Sequence, residues 1–267
     1  MRNLAFLLLT PLLILSQPRS TAAIDLQSHR AVYRMALANT VRASDVVSAE
    51  GVMLYRFARG CDGWTVENRT YLRMLYDDDR EANTLWSFAS WESDDGRKFR
   101  FHARYDQDGK SVEKLEGEVD LKQVGGAGDA HFTEPPDKTI ALPAGTVFPT
   151  EHIREVLKAA QDGKHALNRV VFDGASLDNP YMINALFGPL ATADADALAK
   201  AAKLPAQPSW WTRMAFFHDA DTSELPEFEM AAQYRADGIA DRIIQSFDTF
   251  ALDVRLKDIE LLPPPEC

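Results

Sequence analysis

Cysteine is nearly absent from this chain. Its 267 residues include two, Cys61 and Cys267, which excludes a disulfide-dense scaffold and a four-cysteine metal site. No basic cluster occurs either: 29 Lys and Arg stand against 40 Asp and Glu, a net charge of −11. An acidic chain repels phosphate backbones, so nucleic acid is excluded as a partner. Beyond the N-terminus no apolar run approaches the roughly 20 residues that a membrane-crossing helix needs. The signatures of common catalysts are missing as well. There is no G-x-S-x-G elbow, H-E-x-x-H pair, phosphate-binding loop or G-x-G-x-x-G after a strand. Neither an internal repeat nor a long linker divides the chain.

What the N-terminus does carry is an export signal. Arg2 precedes an apolar core from Leu4 to Leu15, and Thr21-Ala22-Ala23 supplies small residues for cleavage. Residues 1–23 are therefore expected to be a signal peptide, with 24–267 as one mature periplasmic domain; the alternative is an uncleaved anchor. Cleavage leaves 244 residues, with 27 basic (29 less Arg2 and Arg19) against 40 acidic, a net charge of −13. That length suffices for a substantial core.

From His29 to about Val124 the polarity alternates with period two, and turn residues recur at "CDG", "DDDREAN", "DDG" and "DQDG". In "KFRFHARYD" the residues Phe99, Phe101, Ala103 and Tyr105 share one face, while Lys98, Arg100, His102 and Arg104 share the other. Gly and Pro interrupt residues 125–150, where "DAHFT" and "KTIAL" are short strand candidates. A convincing helical period occurs once, in "FPTEHIREVLKAAQDGK". Ile153, Val156, Leu157 and Ala160 form its apolar stripe, Thr150 is placed to cap it, and Gly163 closes it. Alanine-rich "TADADALAKAAKLPAQPS" is either a short exposed helix or a loop. Strand patterns resume afterwards and run to the C-terminus. The expectation is a mainly antiparallel all-β fold of about a dozen strands. Curling into an open barrel around the amphipathic helix would both manage the sheet edges and fill the concave face. A two-sheet sandwich with the helix outside is the alternative.

In an oxidising compartment two cysteines allow one intramolecular bond, Cys61 to Cys267, closing 206 residues of chain. Loop entropy then gives about 5 kcal/mol as an upper figure. The prolines of "LPPPEC" stiffen the arm that delivers Cys267. An intermolecular bond and a pair of free thiols are the competing readings.

Candidates for chemistry are few, and each has a bland counterpart. Ser176 between Asp173 and Asp178 hints at a hydrolase but reads as a polar turn. His152 and Glu155 have the spacing of a metal pair, yet lack further ligands and read as a capping or solvated helix face. Asp77 to Asp79 and Asp106 to Gly109 are turns without a calcium pattern, and His218-Asp219 ends a strand. No metal or cofactor is expected. Aromatics carry more: Trp64, Trp86, Trp91, Trp210 and Trp211 accompany strands, mainly as core, with some available to line an apolar pocket. Adjacent Trp210 and Trp211 must face opposite ways in a strand, which makes them a candidate ligand or contact surface.

Together "HRAVYRMAL", "CDGWTVENR", "FPTEHIREVLKAAQDGK", "VVFDGAS" and the terminal cysteine resemble the cell-envelope integrity EipB family over the whole mature chain. The resemblance implies a periplasmic β-spiral, an open overlapping barrel enclosing a helix, with a disulfide for which Cys61 and Cys267 are the matching positions. It also implies a non-enzymatic role in envelope integrity and stress resistance, linked to outer-membrane lipoproteins and a tetratricopeptide-repeat partner. The fold is similar to carriers of lipid and lipoprotein, so a lipid or lipoprotein carrier is an alternative. An envelope hydrolase is a more distant one.

Overall fold

The structure, a computed structural model, describes residues 24–218 and 225–267. The expected leader, 1–23, and Asp219 lie outside the described residues.

Alternation builds the first half of the molecule. β1 (His29–Thr40) turns His29, Ala31, Tyr33 and Met35 inward and leaves Arg30 and Arg34 outside. Five more strands follow as antiparallel hairpins: β2 (Val46–Arg59), β3 (Gly63–Tyr76), β4 (Glu81–Ser93), β5 (Lys98–Gln107) and β6 (Lys110–Asp120). The acidic clusters are the turns between them. Asp108 and Gly109 take positive φ of 51° and 76°, the twist that suits a tight hairpin. The Gly/Pro-rich region adds β7 (Gly128–Glu134), β8 (Thr139–Leu142) and the two-residue β9 (Thr146–Val147). After α1 (Pro149–Gln161) come β10 (Ala166–Val171), β11 (Tyr181–Pro189) and α2 (Thr192–Ala202). The chain finishes with β12 (Ser209–Phe217), β13 (Phe228–Arg235), β14 (Ala240–Ser246) and β15 (Phe250–Leu261).

All these strands form one 15-stranded sheet, ordered β8-β7-β6-β5-β4-β3-β2-β1-β15-β14-β13-β12-β11-β10-β9. First and last strands pair in its middle, from His29 opposite Leu261 to Thr40 opposite Phe250. Every pairing is antiparallel except β9 with β10. The outermost strands, β8 and β9, are consecutive in the chain and separated only by Pro143, Ala144 and Gly145. Four Cα steps span at most about 14 Å. The sheet must curl until its two ends approach.

They overlap. Phe148 and Phe172, from the β9–β10 end, pack into the inner face of the first arm, with Phe148 4.9 Å from Phe99 and Phe172 5.5 Å from Phe101 between ring centroids. Gly174 makes this approach feasible. Its φ is +68°, and a Cβ there would sit 2.3 Å from the Phe101 ring. The architecture is the open overlapping barrel, not a sandwich with an external helix.

α1 fills the interior. Val156, Leu157, Ala159 and Ala160 are buried against Phe57 and Trp64 of the first arm and Ile183, Phe187 and Met214 of the second. Fully burying Val156 and Leu157 stabilises the fold by about 1.5–3 kcal/mol each. The helix closes at Gly163, whose N–H donates to Ala160 O while that of Lys164 donates to Ala159 O. Its other end departs from expectation. The N-cap is Phe148, with no side-chain cap of its own, and Thr150 lies inside the first turn. The alanine-rich segment is the helix α2, which buries Leu198, Ala199 and Ala202 and packs against β14 and β15. Small side chains let it sit close to the sheet, so a second helix joins the one anticipated as enclosed.

Cys61, in the β2–β3 turn, and Cys267 are joined by a disulfide with Cα atoms 5.7 Å apart. The tail reaches it alongside β1, with Leu262 N–H donating to Ser28 O at 2.9 Å. The bond thus braces the β1–β15 seam from outside. Cys61→Ser is expected to lower stability under oxidising conditions by about 2–5 kcal/mol, which in a chain of this size is on the order of 5–15 °C in Tm. Calorimetry of the two proteins side by side checks this, and an unchanged Tm contradicts it.

Candidate functional site

Curling leaves a space that α1 does not fill. A cavity of about 240 Å³ lies beside the helix N-terminus. Phe57 and Val66 wall it from the first arm, Ile183, Met214, Phe216 and Met230 from the second, and Leu26 and Ile153 complete an apolar lining. Into this lining project His29, Tyr55, His152, Asp173 and Tyr234. No Lys or Arg lines it among the described residues.

Helix periodicity places His152 one residue before Ile153 on the inward side of α1, where it is 5% exposed. It is therefore not on a capping or solvated face, as its sequence context suggested. Its Nε2 is wholly buried and has no hydrogen-bond partner. Burial, assisted by the nearby Arg169 charge, lowers its pKa to about 4, so the ring is neutral. His29 is likewise shifted down by burial, and its Nδ1 bonds Gln27 O at 2.7 Å. Burial pushes Tyr234 up to about 12 and raises Tyr55 further. The hydroxyls of Tyr55 and Tyr234 make no hydrogen bond to the described residues. Asp173 is raised by burial, although its Oδ1 accepts the Ala175 N–H at 2.9 Å. The cavity is thus mainly apolar, and among its polar groups the His152 ring and the Tyr55 and Tyr234 hydroxyls have bonding capacity unspent.

The helix beside it is held by a residue that sequence reasoning missed. Glu92, on β4 and 4% exposed, accepts the Thr150 N–H at 2.8 Å and the Glu151 N–H at 3.1 Å. A buried carboxylate therefore caps α1 from 58 residues away, meeting two otherwise orphaned donors and the positive end of the helix dipole. Only its place on the inward face of β4 hinted at this, in the alternation of "TLWSFASWES".

The other candidates do not converge on a site. Glu155 pairs with Arg169 instead of joining His152, and no metal-holding group of acidic, His or Cys side chains occurs among the described residues. Ser176 donates to Asp178 Oδ2 at 3.1 Å, and His218 contacts the Asp178 backbone oxygen. Nucleophile and base are therefore not linked. Trp210 is buried against α1 at 7% exposure, whereas Trp211 is 41% exposed on the outer face. Its indole lies across Gly188, where a Cβ would come within 2.9 Å of the ring. Beside it is an open groove of about 450 Å³ that includes Leu186, Ala231 and Ile244.

The fold and cavity define a curled, disulfide-braced single-sheet barrel with a helix inside. The chain belongs to the EipB-like family, whose model matches residues 20–263. It is similar to the cell envelope integrity protein EipB of Brucella abortus (strain 2308), 23% identical over 245 residues, covering 91% of this chain and 86% of that protein. A crystal structure of a beta-barrel-like protein of domain of unknown function DUF1849 from Brucella abortus superposes with a TM-score of 0.82. It covers 90% of this chain and 100% of that one at 23% identity. That likeness establishes the fold.

Glu92 has a pH signature. Burial raises it from 4.5 to about 7 even though its amide donors favour the charged form. A folded-state pKa above the unfolded one means that its stabilising contribution is full below about 4.5 and declines as pH rises towards about 7. His29 and His152 act in the opposite sense, gaining as pH rises through the range below 6.5. Glu92→Gln isolates the first effect. From about pH 5 to about pH 8 the wild type is expected to lose about 1–3 kcal/mol relative to the variant. Parallel curves of Tm against pH for the two proteins contradict the assignment.

Proposed function

We propose that this chain acts in the periplasm to maintain the bacterial cell envelope as a non-enzymatic binding protein, holding an aliphatic ligand in the cavity beside α1. The observation that carries the reading is the cavity itself. It has apolar walls, a few convergent polar groups and no linked nucleophile and base. The family supports the envelope role, since its Brucella relative is named for cell envelope integrity. Location in the periplasm is supported by the leader-like N-terminus, by the disulfide, and by the lack of any described helix long and apolar enough to cross a membrane. Release of a bound chain to another envelope component would make the protein a carrier of lipid or lipoprotein.

Native mass spectrometry of protein taken from its own periplasm is expected to show an adduct that organic solvent removes. Met230→Trp, which crowds the cavity at a half-buried position, is expected to fold with a loss of about 1–3 kcal/mol. It should fail to restore detergent resistance to a strain lacking the gene. Full restoration by a folded variant overturns the cavity reading.

A second reading, contact with periplasmic or outer-membrane-associated proteins such as one with tetratricopeptide repeats, is favoured by Trp211, exposed beside its groove. Trp211→Ala should then leave the unfolding free energy within about 1 kcal/mol of the wild type and abolish restoration of detergent resistance. Unimpaired restoration removes Trp211 from the function.

A further inference from the structure

The polar groups facing the cavity say what its occupant carries. The His152 side chain makes no hydrogen bond to the described residues, and its Nε2 is completely enclosed. Tyr55 and Tyr234 likewise leave their hydroxyls without a partner among the described residues. A neutral imidazole offers one donor and one acceptor, and each phenol offers both. Polar groups inside a fold are normally satisfied, so an enclosed imidazole with two unbonded, half-buried phenols beside it marks a position that a polar atom is meant to occupy.

The charge of that atom is restricted by what is missing. An anionic head entering the cavity would lose its water and meet no cation, because no Lys or Arg lines the space. Arg169, the basic residue nearest His152 in effect, is engaged by Glu155. A positive head would meet one acidic group, Asp173, whose carboxyl burial shifts towards its neutral form, and nothing else acidic lines the cavity. A hydroxyl or an amide suffers neither penalty and can both donate and accept.

We infer that the occupant is a single aliphatic chain bearing a neutral hydrogen-bonding group, hydroxyl or amide, which bonds to His152 and the two tyrosine hydroxyls, and that carboxylate- and phosphate-headed amphiphiles are excluded from this position. The inference rests on the cavity reading above and adds the chemistry of the head group. It also gives a reason for keeping an imidazole that has no partner within the fold.

The test compares n-decanol, decanamide and decanoate as probes, by calorimetry and native mass spectrometry of the full exported chain at neutral pH. The alcohol and the amide are expected to bind at least about ten-fold more tightly than the carboxylate. His152→Leu should erase most of that preference and raise the Tm of the empty protein, because it replaces an unsatisfied buried group by an apolar one. A merely structural histidine would not move the preference. Should that variant fail to fold, the Tyr55→Phe/Tyr234→Phe double variant reads out the same loss. Equal or tighter binding of decanoate overturns the head-group inference and leaves an apolar cavity standing. A preference that survives both variants overturns it too. Failure of all three probes to bind overturns the cavity reading along with it.

Discussion

The constraint on which this structure depends is that its first and last strands pair in the middle of the sheet while its two outermost strands are neighbours in the chain. β1 and β15 form a central seam, and the arms grow away from it in opposite directions. Yet β8 hands over to β9 through three residues. A flat sheet of this width would put those strands far beyond the reach of such a link. Curling is therefore imposed by connectivity, with the natural twist of antiparallel strands supplying its hand. The interior follows from it. The residues that alternate inward enclose one space, and the segment that has just crossed the gap, α1, is delivered straight into it.

Once α1 is enclosed, its ends need partners that water would supply on a surface. The C-terminal end carries its own solution in the turn at Gly163, a local device written in consecutive residues. At the N-terminal end the solution is remote, because Glu92 comes from the opposite wall and is shared between two amides. Burying a carboxylate is costly, and its raised pKa expresses that cost. The helix dipole and the two charge-assisted bonds offset it. This pairing also sets where the cavity lies. It pins the first turn of α1 near β4, so the uncovered wall is on the side of Tyr55, Ile183 and Tyr234.

Legibility from sequence tracked the range of each interaction. The hairpins of the first half were readable because alternation and turn chemistry are local, as at Phe99 to Tyr105 and at Asp108-Gly109. The stripe of α1 was readable for the same reason, and the opposed facing of Trp210 and Trp211 follows from strand geometry alone. Thr150 misled because it has the residue type of a cap, whereas the real acceptor lies 58 residues earlier. His152 misled because a histidine beside acidic and basic neighbours resembles a solvated face. The wall that buries it comes from strands on both sides of the helix, and no local pattern reports this. The apolar anchors of α2, Leu198 and Ala199, were masked by a low-complexity run of Ala and Asp.

The polar groups of the interior weigh against inert packing, and no nucleophile and base are linked among them in the described residues. A core selected only for stability would put an apolar side chain at position 152, since an unsatisfied buried imidazole costs about 1–3 kcal/mol. A catalytic site would connect its histidine to a carboxylate or a nucleophile, so that one group's proton is another's base. Neither arrangement is present around this cavity. His152 is apart from Glu155, Ser176 is turned to Asp178, and Asp173 is tied to the backbone of its own loop. What remains, in the His152 ring and the hydroxyls of Tyr55 and Tyr234, is a set of donors and acceptors in apolar walls, held in place by a covalently braced barrel. Such a set suits the recognition of a molecule, which is what the holding role proposed above requires.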